Sequence, residues 1–157
     1  MTSLALDIAL NSPAETAALA ARIAPQLRPG DSVLLNGPVG AGKTHFARHL
    51  IQSVLQIPED VPSPTYTLVQ TYDTRLGEIW HADLYRLTAI EEVEELGLSE
   101  ALEDAICLIE WPDRLGELSP DNATSLLLEP DSGDFDKRTA SFSWSDPKWS
   151  FLAELAL

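Results

Sequence analysis

The chain of 157 residues is 45% hydrophobic and 22% charged, which is typical of a globular protein, and its length suits one domain over residues 1–157. No run approaches the ~20 consecutive apolar residues that a membrane-spanning helix needs, so we expect no membrane partner. Ten Lys and Arg stand against 25 Asp and Glu, and the net charge of −15 opposes direct nucleic-acid binding, which needs basic residues to neutralise phosphates.

Two features favour a cytoplasmic location. The first residues, MTSLALDIALNSP, have no basic segment, and Asp7 interrupts their apolar positions, so we expect no secretory signal. Cys107 is the single cysteine of the chain, so it has no internal disulfide partner, which suits a reducing compartment.

The first half of the chain predicts a helix, a strand and a second helix. Ser12 and Glu15 have the spacing of a capping box, and apolar residues then recur at helical spacing as far as Leu27. Residues 32–35 form a short apolar strand. A glycine-rich loop separates that strand from an amphipathic helix, whose apolar face runs from Phe46 to Leu55.

The second half predicts two hairpins, three short helices and one buried strand. The predicted strands are residues 66–72 and 78–81, a central strand at 105–109, and an edge hairpin within 123–144. The predicted helices are residues 88–96, 99–103 and 148–157. Strands that alternate with helices predict an α/β fold, in which a parallel sheet is flanked by helices and extended by antiparallel strands.

The loop itself carries the strongest functional signal. Residues 37–44, GPVGAGKT, fit the pattern G-x-x-x-x-G-K-[ST], whose glycines let successive backbone N–H groups point at phosphate oxygens. We expect Lys43 to reach the β- and γ-phosphates and the Thr44 hydroxyl to bind Mg²⁺. A strand before the loop and a helix after it complete the context of a P-loop NTPase-like fold.

Two carboxylates follow apolar strands and are candidates for the metal and for the attacking water. Asp83 ends the run EIWHAD, and Glu110 ends the run AICLIE. A phosphate loop needs such a carboxylate at the end of a neighbouring strand. One of the two would bind Mg²⁺ and the other would orient water, and the sequence leaves open which does which. A surface acid or a helix cap is the alternative for each.

Three further stretches have two interpretations each. The segment SPTYT, residues 63–67, is either a switch that contacts the γ-phosphate or metal, or the entry to a strand. Trp111 is either a core residue or an aromatic wall for the nucleotide base. The run IEEVEELGL is either a solvated helix face or a docking surface for a basic partner.

Four motifs together resemble the TsaE family of bacterial tRNA threonylcarbamoyladenosine synthesis: GPVGAGKT, SPTYTLVQTY, HADLYRL and AICLIEWPDRL, in that order. The resemblance covers residues from about 10 to 115. It implies a Mg²⁺-dependent ATPase that is weak alone and that joins the TsaB and TsaD proteins. Its ATP cycle would support repeated turnover of the complex that modifies the tRNA adenosine 3′ of the anticodon, so contact with tRNA would be indirect.

The same resemblance assigns roles to individual residues. Thr44 and Glu110 look like the metal-binding pair, and Asp83, Lys43 and Thr65 like further members of the catalytic centre. His45 stands where many relatives carry a second hydroxyl residue, and Lys137 or Arg138 is a candidate nucleotide contact. The residues expected to line the nucleotide are Gly40, Ala41, Gly42, Lys43, Thr44, His45, Asp83, Glu110 and Trp111.

Other functions of a phosphate loop fit the chain less well. A small-molecule kinase is the main alternative, but kinases use clustered Arg and Lys to clamp the transferred phosphoryl group, and the arginines here are scattered. A GTPase switch would carry an N-K-x-D tetrad, which does not occur in the sequence. An assembly factor whose hydrolysis is incidental overlaps the family's function and stays open.

Overall fold

The computed structural model describes residues 4–64, 67–134 and 136–156. Its strands are β1 (Leu4–Leu10), β2 (Ser32–Asn36), β3 (Val69–Thr74), β4 (Gly77–Asp83), β5 (Ile106–Glu110), β6 (Thr124–Pro130) and β7 (Arg138–Trp144). These strands form one sheet in the order β1-β7-β6-β2-β5-β4-β3. Strand β2 is parallel to both of its neighbours, β5 and β6, and β4 is parallel to β5. The pairs β1–β7, β6–β7 and β3–β4 are antiparallel. The predicted α/β architecture with antiparallel extensions is confirmed.

Helices cover the parallel centre of the sheet on both faces. They are α1 (Pro13–Ile23), α2 (Lys43–Gln52), α3 (Ile90–Glu95) and α4 (Leu98–Asp104), with 3-10 helices at Ala24–Gln26, Pro112–Leu118 and Pro147–Ala156. Helices α1 and α2 share one apolar core with alternate residues of the strands, and α3 and α4 share a second core with the others. Every residue of β5 is buried, as the apolar run at 105–109 predicts for a central parallel strand. No helix in the described ranges is long and apolar enough to cross a membrane.

The predicted start of the first helix is confirmed at Ser12 and Pro13, but Glu15 does not complete the capping box. Ser12 Oγ accepts a hydrogen bond from the Glu15 N–H group at 3.2 Å, and Pro13 occupies the first helical position. The Glu15 carboxylate accepts from the backbone N–H of Asn11 rather than from that of Ser12. The cap therefore satisfies donors just before and within the first turn.

The N-terminal strand corrects one prediction. Residues 124–144 form the predicted hairpin, but it does not lie at the edge of the sheet, because β1 pairs along the whole of β7. In β1, Leu6, Ile8 and Leu10 face the core, and Asp7 lies on the exposed face between them. In the sequence Asp7 interrupts the apolar positions of the N-terminal segment. In the structure it lies on the solvent side of β1, where the alternation of a strand places a polar residue.

Other boundaries differ by a few residues. The strand predicted at 66–72 is β3 and begins at Val69, while Tyr66 lies outside the described residues. The closing helix predicted at 148–157 is a 3-10 helix. Its Trp149 is 1% exposed and fills the core beneath β7 and β1.

The carboxyl ends of β2, β5 and β4 lie side by side along one edge of the sheet. Parallel pairing places Leu35 of β2 and Asp83 of β4 on either side of Glu110 of β5. The loop that follows β2 therefore starts beside the two predicted carboxylates. Side chains at the carboxyl ends of parallel strands line the crevice where α/β proteins bind ligands.

Candidate functional site

The loop of residues 37–42 joins β2 to α2, and its three glycines all have a positive φ. Gly37 has a φ of 141°, and a Cβ on it would lie 2.5 Å from the carbonyl oxygen of Leu128. Gly42 has a φ of 103° and is the N-cap residue of α2. Residues with a Cβ are strained in both conformations. The loop thus turns tightly into the N-terminus of α2, whose N–H groups attract anions.

A pocket of about 430 Å³ opens at this loop. It is lined by residues 39–45 of the loop and first helical turn, and by Asp83, Tyr85, Glu110 and Trp111. All nine residues predicted to line the nucleotide therefore lie around one cavity. The other catalytic candidate, Thr65, lies outside the described residues, so its role as a switch stays a prediction.

Lys43 is a buried cation at the base of the pocket. Its ammonium group donates a hydrogen bond to the Gly37 carbonyl oxygen and lies 3.7 Å from the centroid of the Trp111 ring. Burial lowers the pKa of Lys43, and the nearby Glu110 and Asp83 carboxylates oppose that shift. A desolvated ammonium group with a carbonyl and an aromatic face as its contacts is well placed to gain from an incoming phosphate.

Thr44 and Glu110 meet across the pocket, although 66 residues separate them in the chain. The Thr44 hydroxyl lies 2.9 Å from each carboxylate oxygen of Glu110. The Oε2 atom of Glu110 is also 2.7 Å from Nε2 of His81, which is fully buried on β4. Because a carboxylate accepts and does not donate, the hydroxyl and the imidazole N–H are the donors.

These oxygens fit a magnesium ion. Two ligand oxygens at about 2.1 Å from an octahedral Mg²⁺, at right angles to each other, lie about 3 Å apart. The distance between the Thr44 hydroxyl and either Glu110 oxygen, 2.9 Å, matches that spacing. A hydroxyl and a carboxylate are also the hard oxygen donors that Mg²⁺ prefers. The pair can therefore occupy two neighbouring coordination positions.

Asp83 is a second buried carboxylate beside the first. Its Oδ1 accepts a hydrogen bond from the Tyr85 N–H group at 3.1 Å. Burial raises the pKa of Asp83, and the negative charge of Glu110 raises it further, while the Tyr85 N–H group, His81 and Lys43 act in the opposite sense. A carboxyl group that holds its proton more firmly than usual is a stronger base.

Trp111 forms part of the pocket wall and holds an unusual backbone conformation. Its φ is 59° and its ψ is 53°, in the left-handed region that bulky residues rarely adopt. The ring is half-buried against the second core, stands over Lys43, and lies 5.0 Å from the ring of Tyr85. The ring therefore belongs both to the core and to the pocket wall, and its contact with a nucleotide base stays a prediction.

His45 and the arginine of β7 complete the surroundings of the loop. The His45 ring turns away from the pocket base, with Nε2 3.0 Å from the Pro13 carbonyl oxygen. Arg138 donates from Nη1 to the Ala41 carbonyl oxygen, and a Cβ on Gly42 would clash with Nη1. Of the two candidate contacts, Arg138 thus lies at the loop, whereas Lys137 is exposed.

Sequence reasoning missed His81 and Tyr85. In the sequence, His81 has no metal-ligand spacing with Cys107, the single cysteine of the chain. The available signal was its position two residues before Asp83, since residues i and i+2 of a strand share a face. Tyr85 lies two residues after the end of β4, and its half-exposed ring lines the pocket.

Comparison with known proteins gives a consistent result. Residues 10–140 match the family model of TsaE, described as threonylcarbamoyl adenosine biosynthesis protein TsaE. The chain is similar to the tRNA threonylcarbamoyladenosine biosynthesis protein TsaE of Rickettsia felis, with 47% identity over 69% of this chain and 64% of the relative. It is also similar to the protein of that name from Bacillus subtilis, with 33% identity over 91% and 88%.

A solved structure has the same fold over nearly the whole length. YdiB from Bacillus subtilis superposes with a TM-score of 0.78 at 26% identity, over 99% of this chain and 96% of that one. The matches to the Rickettsia felis and Rickettsia conorii relatives span 64% and 62% of those proteins, which is less than two thirds of their length.

Proposed function

The chain belongs to the TsaE family, and from that premise we propose that it binds and hydrolyses ATP with Mg²⁺ to support threonylcarbamoyladenosine modification of tRNA. The observation that carries the proposal is the meeting of a phosphate loop with the Thr44–Glu110 pair in one pocket. The relatives named for this modification supply the pathway. We further propose that residues 1–157 act as one domain, in the cytoplasm where tRNA is modified.

The proposal gives roles to the phosphate loop, to the Thr44–Glu110 pair and to Trp111. The N–H groups of residues 40–45 and the Lys43 ammonium group bind the phosphates. Thr44 and Glu110 hold Mg²⁺, which neutralises charge that develops on the phosphate oxygens. Trp111 keeps Lys43 in place and excludes water from one side of it.

The surroundings of the two carboxylates support a division of roles between them. Both oxygens of Glu110 lie within hydrogen-bond distance of the Thr44 hydroxyl, which supports Glu110 as the proposed metal ligand. Asp83 lies beside it with a raised pKa and is the group that orients the attacking water and takes its proton. Thr65 is proposed to join the γ-phosphate or metal as a switch.

The proposed partners are the TsaB and TsaD proteins, and tRNA is reached through them. A net charge of −15 makes this chain a poor ligand for RNA on its own, so another subunit would hold the tRNA. The ATP cycle would then reset the complex between rounds of modification.

The first test is ATP hydrolysis with Mg²⁺ by the purified chain, alone and with TsaB and TsaD. We expect slow turnover that rises with the partners and is lost in Lys43→Ala. Glu154→Ala, which changes an exposed residue of the C-terminal 3-10 helix, is the control and should leave both rates unchanged. Turnover that ignores the partners, together with phosphoryl transfer to a small acceptor, would instead identify a small-molecule kinase.

A further inference from the structure

His81 is a fully buried polar side chain on β4, one strand in from the β3 edge of the sheet. It pairs with Leu108 across the β4–β5 ladder, two residues before Glu110. Side chains of alternate strand residues share a face, so His81 and Glu110 lie diagonally across neighbouring strands within reach of each other. The 2.7 Å distance from Nε2 to Oε2 is that of a strong, charge-assisted hydrogen bond.

The other ring nitrogen, Nδ1, makes no comparable hydrogen bond within the described residues. The Nδ1 atom of His81 is buried, and it has no hydrogen-bond partner among the residues that the structure describes. A buried nitrogen without a partner costs free energy that an aliphatic side chain of similar size would avoid. The one hydrogen bond that the described residues give this ring goes to Glu110, so the reason for a histidine at position 81 lies with that carboxylate.

On the basis of the proposed Mg²⁺ site, we propose that His81 is a positioning residue that holds Glu110 in its metal-binding orientation. The Nε2–H group fixes Oε2, and the plane of the carboxylate is then set by two donors, His81 and Thr44. A Thr44 oxygen that bound the metal would keep its O–H group as a donor, and the imidazole would supply the second donor that keeps the Glu110 carboxylate from rotating away.

A matched set of substitutions separates the hydrogen bond from the packing. His81→Leu removes the donor. His81→Gln keeps a donor at the reach of Nε2, whereas His81→Asn carries the same amide but is one carbon shorter. Cys107→Ala is the control, since Cys107 is equally buried on β5 but faces the opposite core. Thermal unfolding confirms that each variant is folded before binding is measured.

The readout is metal affinity rather than turnover. Mn²⁺ binding is followed by electron paramagnetic resonance at saturating ADP, and ADP binding is measured separately in EDTA. We expect His81→Leu and His81→Asn to bind Mn²⁺ about 10- to 100-fold more weakly, the usual effect of losing a group that orients a metal ligand. His81→Gln should stay within about threefold of the parent chain, and ADP affinity without metal should be unchanged in all variants.

Two results would overturn the inference. One is unchanged Mn²⁺ affinity in folded His81→Leu or His81→Asn. The other is an equal loss in His81→Gln and His81→Asn, which would mean that packing and not the donor matters. If His81→Leu does not fold, the comparison of Gln with Asn decides. Failure of the proposed function is distinct, because the parent chain itself would then not bind Mn²⁺ with ADP.

Discussion

At the residue scale, ionisation of the buried Asp83 carboxyl lowers the stability of the folded chain, because burial disfavours the charged form. Its pKa is raised in the folded protein, so the folded state holds the proton more tightly than the unfolded state does. The stability that this proton provides is complete below the unfolded pKa. It is lost as the pH rises through the folded pKa, above which the group is charged and desolvated.

We therefore predict that Asp83→Asn is more stable than the parent chain at pH 7, by a few degrees in Tm. The difference should shrink as the pH falls towards 4, because the parent carboxyl then becomes neutral too. The same variant should lose about 100-fold or more in ATP turnover while it keeps nucleotide affinity. Calorimetry across pH and a steady-state assay test both effects. A loss of stability at pH 7 would contradict the account of burial.

Trp111 permits a second residue-scale prediction, about its left-handed backbone. Trp111→Ala and Trp111→Gly both remove the ring from Lys43, but they differ in the strain of a positive φ. We expect the Gly variant to be more stable than the Ala variant by about 1 kcal/mol in urea unfolding. Both should bind ATP more weakly than the parent chain, since the cation–π contact is lost. Equal stability would mean that the backbone relaxes once the ring is gone.

At the element scale, the β2–α2 loop has two glycines that differ in their surroundings. A Cβ on Gly37 would meet backbone at 2.5 Å, whereas a Cβ on Gly40 would meet nothing within 4 Å. Both residues have positive φ, 141° and 83°, so each substitution adds backbone strain.

We predict that Gly37→Ala destabilises the chain by about 2–4 kcal/mol, since it adds a clash to the strain, and that Gly40→Ala costs about 1 kcal/mol from strain alone. Urea unfolding measures both. Gly40→Ala is the matched control, because it changes the same loop by the same methyl group. Similar losses for the two variants would show that contact with β6 is not what makes Gly37 necessary.

At the scale of the whole molecule, α3 presents a cluster of exposed carboxylates on the acidic surface. Val93 of this helix is buried, and Glu91, Glu94 and Glu95 are exposed. The solvated face and the docking surface inferred from the sequence both fit this arrangement. A partner with a basic surface would associate faster with such a face, and salt would slow that association.

The docking hypothesis predicts that Glu91→Lys with Glu95→Lys weakens association with TsaB and TsaD about tenfold. Glu59→Lys with Glu154→Lys, at exposed positions elsewhere, makes the same change of net charge and should have a smaller effect. Sedimentation or surface binding at two salt concentrations gives the comparison. Equal losses would leave α3 as a solvated face.

The sequence alone determined the phosphate loop, the alternation of strands and helices, and the two carboxylates at strand ends. These features are local, because GPVGAGKT occupies eight consecutive residues and each carboxylate directly follows its own apolar run. Periodicity also predicts which strand is central, since every residue of β5 is apolar up to Glu110. The misplaced hairpin shows where local reasoning ends: a strand's neighbours depend on distant segments, and β1 pairs with residues more than 100 positions away.

Only the tertiary structure decided which side chains meet. Thr44 contacts Glu110 across 66 positions, His81 contacts Glu110 across 29, and Arg138 reaches the loop across 97. Spacing in the chain does not determine such contacts, because the order of strands in the sheet and the register of each pair set them. The sequence therefore predicted most of the residues that belong to the site, but not which of them contact one another. The roles proposed for Glu110, Asp83 and His81 required the sheet that brings these side chains to one edge.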